Sequence, residues 1–160
     1  MDARKFRDTL GQFATGVTVI TGKTENKLIG MTANAFSSLS LDPPLILVCI
    51  DKKSSSMEAF MKDQPFAVNI LEKNQSEDCW RFAKRSEDKF VGCAYDFSHD
   101  GVPILKGNLA TIHCDVDAIL EGGDHYIVTG RVKSVDYDNE KEPLLFFRGK
   151  MGELAMTEAT

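Results

Sequence analysis

The spacing of hydrophobic positions changes period at Gly16. Before it, Phe6, Leu10 and Phe13 recur at helical spacing behind Asp2, an N-cap residue type, which predicts an amphipathic helix reaching residues 13–15. After it, Val17-Thr18-Val19-Ile20-Thr21 is β-branched throughout, and the polar string over 22–27 turns it back into a second strand over 28–34. Beyond Pro43-Pro44, the run Leu45-Ile46-Leu47-Val48-Cys49-Ile50 has the continuous apolar character of a strand buried on both faces. A short helix is expected next, carrying Met57, Phe60 and Met61, capped by one of the serines 54–56 and stopped at Asp63-Gln64-Pro65. A strand over 66–71 follows. A second helix opens at Asn74, where Glu77 completes a capping-box pattern, and carries Trp80, Phe82 and Ala83.

Residues 85–105 are aperiodic and charged, an excursion over the surface. Two long strands, 109–120 and 125–137, are joined through Glu121-Gly122-Gly123-Asp124, and 144–147 form a short last strand. Strands joined by short turns, with only two or three helices, argue against a doubly wound sheet. They predict a mainly β fold: a six- to seven-stranded antiparallel barrel with a few peripheral helices, one domain over 1–160.

The 160 residues hold 19 basic and 24 acidic side chains, and the signs are interleaved. Nucleic acid is not an expected partner, because counterion release needs a basic face. No apolar run approaches the ~20 residues of a membrane span, and the N-terminus lacks the apolar region of a secretory signal, so a cytoplasmic protein with no membrane partner is expected. Cys49, Cys79, Cys93 and Cys114 form no C-x-x-C pair and read as free, mostly buried thiols.

The chemistry concentrates in Gly30-Met31-Thr32-Ala33-Asn34-Ala35-Phe36-Ser37-Ser38-Leu39-Ser40. Small side chains and hydroxyls let backbone lie against a flat, polar-edged ligand such as a flavin, and equally suit a half-exposed strand. Asp51-Lys52-Lys53-Ser54-Ser55-Ser56 combines hydroxyls, a helix start and lysines, which reads as an anion site for a ribityl phosphate or pyrophosphate, or as a solvated loop. Gly123-Asp124-His125 is a tight turn with an exposed imidazole, or a donor beside a second ligand. Phe146-Phe147-Arg148-Gly149-Lys150 is aromatic core followed by cations that meet phosphates or solvent.

Other chemistries find less support. Gly11-Gln12-Phe13-Ala14-Thr15-Gly16 has phosphate-loop spacing but lacks the Lys-Ser/Thr that contacts phosphate, and Gly16 reads as a helix stop. There is no G-x-G-x-x-G after a strand. His113, Cys114 and Asp115 alternate across a strand, so no metal is expected. No serine sits in G-x-S-x-G, and Asp124 and His125, adjacent in a turn, are not expected to orient each other as a triad does.

Six stretches run in order from Phe13 to Lys150: residues 13–21, 30–36, 66–71, 101–105, 123–125 and 143–150. Together they resemble the flavin reductase-like family, the short-chain NAD(P)H:flavin oxidoreductases of two-component flavin monooxygenases, and within it the reductase components of phenol and 4-hydroxyphenylacetate hydroxylases. The resemblance implies a flavin-binding split barrel, usually a homodimer, using FAD or FMN and NADH or NADPH and supplying a monooxygenase. It implies that Met31, Thr32, Ala33, Asn34, Ala35, Phe36 and Ser37 border the flavin ring. Ile50, Asp51, Lys52, Ser54, Ser55 and Ser56 would hold its ribityl phosphate, and Phe82, Ala83 and Lys89 its phosphates or adenine. His125 would orient the nicotinamide, with Phe147, Arg148 and Lys150 also on the dinucleotide. Hydride passes between rings held in a near-attack arrangement, so no side chain is needed as acid or base. The alternatives are a non-catalytic FMN-binding electron carrier or sensor on the same barrel, and a barrel that binds no flavin and mediates assembly.

Overall fold

The computed structural model describes residues 1–157. Helix α1 (Ala3–Leu10) is followed by β1 (Thr15–Gly16), β2 (Thr18–Lys23), β3 (Leu28–Ala33), β4 (Phe36–Leu41) and β5 (Pro44–Asp51). A 3-10 turn (Ser55–Ala59), β6 (Pro65–Ile70) and α2 (Ser76–Ala83) come next. The chain continues through β7 (Tyr95–Phe97), β8 (Pro103–Leu105), β9 (Ala110–Gly122), β10 (His125–Tyr137), β11 (Leu145–Phe147) and β12 (Lys150–Gly152). The principal sheet has the order β3-β2-β6-β9-β10-β5-β4, with every neighbouring pair antiparallel. Its edge strands, β3 and β4, are joined by Asn34 and Ala35 alone, and among the described residues no ladder pairs them, so the sheet stays open there.

Alternation along β2 explains the layering. Ile20 enters one hydrophobic cluster with Val48, Ile50, Phe60, Phe66, Val68, Val116 and Val128, while Val19 enters a second with Val17, Leu71, Cys79, Phe82 and Leu105. Phe60 and Phe66 meet edge to face at 5.6 Å in the first. Burying each such side chain contributes about 1.5–3 kcal/mol. The strands buried on both faces are therefore β2 and β6, not β5. In β5 only Ile46, Val48 and Ile50 are buried, and the other face carries half-buried Leu45, Leu47 and Cys49.

Helix α2 is placed by a polar hub. Asn69, fully buried, donates to the Val19 carbonyl (2.9 Å) and Thr21 Oγ1 (3.0 Å), and its Oδ1 accepts from Leu105 N and Asn108 Nδ2, both at 2.9 Å. Gln75, at the start of α2, donates to Asn108 Oδ1 at 3.2 Å, which ties the helix to β6. With its donors and acceptor filled, a buried amide rigidifies instead of destabilising.

Several local expectations are corrected. Helix α1 ends at Leu10 with Gly11 as C-cap, and Gly16 is not a helix stop but pairs with Leu145 in a strand. The segment after β5 is a 3-10 turn capped by Ser54, leaving Met61 exposed. The capping box does not form: Asn74 Nδ2 donates to Glu72, Glu77 pairs with Arg81, and Trp80 is half exposed. The 85–105 excursion contains the β7–β8 hairpin and buries Val102 and Leu105.

Candidate active site

A cavity of about 700 Å³ opens where the end of β3, the start of the 3-10 turn, the last turn of α2 and the β9–β10 turn converge. One wall is Met31, Thr32, Ala33, Asn34 and Ala35, with Cys49, Ile50 and Asp51 beside it. The helix approaches closely because Gly30 has no side chain: a Cβ there would lie 2.5 Å from the Phe82 ring. Thr32 Oγ1 donates to the Cys79 carbonyl at 2.6 Å, so this hydroxyl holds the edge strand to α2.

Lys89 reinforces that junction. Its Nζ donates to the carbonyls of Gly30 (3.0 Å) and Phe82 (3.2 Å), the latter one of the orphan carbonyls of the last turn of α2. Burial pushes its pKa below the usual lysine value. Two of its three ammonium hydrogens are thus used, and the third remains for an anion in the cavity it lines.

Ser54, Ser55 and Ser56 line the cavity, Ser54 Oγ accepting from Ser56 N at 3.2 Å. Their lysine partner is Lys53. Asp51 Oδ1 accepts from Lys53 N at 2.8 Å, an Asx turn that leaves Lys53 in the cavity wall. Lys52, expected at the phosphate, points the other way: it pairs with Glu121 and lies over the Tyr126 ring at 5.0 Å, and the hydrogen bond to Glu121 raises its pKa. Four cations, Lys53, Lys84, Arg85 and Lys89, line the cavity against two acids, Asp51 and Glu87, on a chain whose net charge is -5.

His125 also lines the cavity, and its Nδ1 lies 2.7 Å from Asp124 Oδ1. That bond draws the Asp124 carboxyl below its usual pKa. These chain neighbours thus meet through their side chains. The two-residue turn has Gly123 at φ +72, the type II′ pattern, and Lys52 N donates to the Asp124 carbonyl at 3.0 Å, which fixes the carboxylate beside the ring.

The structure thus gathers Met31, Thr32, Ala33, Asn34, Ala35, Ile50, Asp51, Ser54, Ser55, Ser56, Phe82, Ala83, Lys89 and His125 around one cavity. Phe36 and Ser37 fall on its far side, in an apolar groove of about 790 Å³ with Leu10, Phe13, Val17, Leu47 and Ile70, which shares Asn34, Ala35 and Cys49 with the cavity. Phe147, Arg148 and Lys150 lie on the β11–β12 hairpin beside β1, outside the cavity, where Arg148 Nε donates to Gln12 Oε1 at 2.8 Å. Cys49 and residues 84–87 of the lining are absent from the sequence expectations, and Lys53 enters them only as part of the 51–56 anion stretch, where Lys52 is the lysine assigned to the phosphate. The alternation that aims Ile50 into the core and the Asx pattern at Asp51 were the available signals for Lys53; the aperiodic 84–87 carried none.

A family model described as flavin reductase like domain matches residues 10–155. The chain belongs to that family. It is 44% identical over 150 residues to the flavin-dependent monooxygenase reductase subunit HsaB of Rhodococcus jostii (strain RHA1), covering 94% of this chain and 77% of that protein. It is 41% identical over 156 residues to a flavin reductase of Pseudomonas putida, covering 97% and 92%. The NADH:FAD oxidoreductase SgcE6 of Streptomyces globisporus C-1027, solved in complex with NAD and FAD fragments, superposes with a TM-score of 0.94 at 34% identity, covering 99% of this chain and 96% of that one.

Proposed function

We propose that this flavin reductase family member catalyses NAD(P)H-dependent reduction of FAD or FMN and supplies the reduced flavin to a partner monooxygenase. The observation that carries the reading is one cavity with a backbone wall at residues 31–35, a cationic and hydroxyl-lined flank, and His125 at its mouth. The bound flavin supplies the electron-accepting ring and the reduced nicotinamide the hydride. The protein's contribution is positional. Residues 31–35 border the ring, Ser54 to Ser56 with Lys53 and Lys89 hold phosphate, and His125 orients the nicotinamide. The two-residue link between the edge strands of the principal sheet, and one hydrophobic cluster drawing on β2, β5, β6, β9 and β10, support the split-barrel form as one unit over the chain.

A homodimer completes the reading, seated on the apolar groove. Three features support it: no residue of α1 is buried although Phe6 and Leu10 are apolar, Thr15 Oγ1 is buried without a partner, and Leu47 faces the groove from a strand whose sequence reads as buried on both sides. Four free cysteines support a reducing, cytoplasmic location. Among the described residues no helix is long and apolar enough to cross a membrane. Anaerobic incubation with NADH and excess FAD or FMN tests the function: a reductase bleaches many equivalents of flavin, whereas an electron carrier or an assembly module bleaches at most its own.

A further inference from the structure

We propose that Asp124 is a positioning residue acting through His125: it holds the Nδ1 hydrogen of the imidazole and leaves Nε2 as a hydrogen-bond acceptor for the cavity. The site thereby selects a pyridine carboxamide over a carboxylate at the same position. The specificity half rests on the reading that His125 stands beside the nicotinamide.

An ionised carboxylate only accepts hydrogen bonds, so an imidazole nitrogen 2.7 Å from Asp124 Oδ1 must carry the hydrogen. In the neutral ring Nε2 is then bare. A free neutral imidazole prefers the opposite arrangement, with hydrogen on Nε2, so removing the carboxylate reverses the donor pattern. Three constraints keep Asp124 in place: the glycine-led turn at φ +72, the Gly122–His125 strand pairing, and the bond from Lys52 N to its carbonyl. His125 lines the cavity and Asp124 does not, so the carboxylate acts on a ligand only through the ring. A carboxamide offers N–H to the bare Nε2; a carboxylate brings a second acceptor, and the two lone pairs oppose each other.

The test has a spectroscopic and a kinetic arm. Multiple-bond ¹⁵N–¹H spectra, with the His125 signals assigned by their loss in His125→Gln, are recorded at a pH where the imidazole is neutral. The expected result is hydrogen on Nδ1 in the wild-type protein, hydrogen on Nε2 in Asp124→Ala, and the wild-type pattern retained in Asp124→Asn, whose amide oxygen still accepts. Hydrogen on Nε2 in the wild-type protein, or an Asp124→Ala spectrum identical to it, overturns the proposal. In steady state, the ratio of apparent KM for the reduced nicotinic acid dinucleotide over the reduced nicotinamide dinucleotide should fall about tenfold in Asp124→Ala, with kcat for the amide form little changed. An unchanged ratio refutes the specificity half. If the spectra move as expected but neither dinucleotide reduces flavin, Asp124's hold on His125 stands, while the specificity half falls together with the functional reading.

Discussion

The cavity and the groove are close in size, about 700 and 790 Å³, and share Asn34, Ala35 and Cys49, yet their walls differ in kind. The cavity wall carries four cations, hydroxyls and an imidazole, several of them already held: Lys89 and Thr32 donate to carbonyls, His125 meets a carboxylate, and Ser54 accepts from a backbone N–H. The groove wall is dominated by Leu10, Phe13, Val17, Phe36, Leu47 and Ile70. A pre-satisfied polar wall suits a small ligand with phosphate and ring edges, because it binds without reorganising. An apolar wall of that extent gains only when another protein face removes it from water. Volume alone would not distinguish the two; the chemistry of the lining does.

The largest effect expected breaks the groove alone. Leu10→Asp combined with Phe13→Asp should abolish the proposed homodimer in sedimentation velocity. The melting temperature of the isolated subunit should hardly move, because these side chains are 59% and 80% exposed. A variant that remains dimeric would remove the groove from the interface. Gly30→Ala breaks the cavity alone. The added methyl meets the Phe82 ring, should destabilise by about 1–3 kcal/mol, and should weaken flavin binding more than tenfold with the dimer intact.

The lysines sharpen the assignment within the cavity. Lys89→Met should raise the flavin Kd about tenfold, the scale of one charge-assisted hydrogen bond. Lys52→Met should change it less than about twofold, since Glu121 holds that ammonium outside the cavity. Fluorescence titration that ranks them the other way would put Lys52, and not Lys89, on the flavin. Ser54→Ala removes one cap acceptor and should cost roughly 1 kcal/mol in stability.

The smallest effect lies away from both surfaces. Burial works against the charged form of Lys133, but hydrogen bonds from its ammonium to Asp100 and Asp115 outweigh this and raise its pKa, while the bond from Lys133 depresses the Asp100 pKa. A depressed carboxyl contributes stability that is complete above its unfolded value near 3.8 and is lost as pH falls through the folded value. Asp100→Asn should therefore reduce the difference in melting temperature between neutral and acidic solution, by an amount typical of a partly exposed pair.

Strands with strong β-branched or alternating patterns, β2, β3, β6 and β10, were legible because one or both of their faces is buried in this subunit. Strand β4 was not: its Ser37, Ser38 and Ser40 present hydroxyls from a sheet edge, and such a stretch has the same composition as a loop. Strand β5 was over-read, since its second apolar face looks into the groove and not into the subunit's core. Residues 31–35, 54–56 and 125, which line the cavity, were singled out from small residues, hydroxyls and a turn motif. The exchange of Lys52 for Lys53 escaped because it depends on a cross-strand partner, Glu121, sixty-nine positions away. The failed capping box at Asn74 has a local origin instead, Glu72 two positions before it taking the amide.

The Asn34–Ala35 link is a single layer of backbone with the polar cavity on one side and the apolar groove on the other. It offers no slack: one inserted residue would bulge into one compartment or the other, or slip the register of Phe36 against Val48. Changes in flavin preference among relatives should therefore arise by side-chain replacement or length variation over residues 83–89, and the length of this link should stay constant.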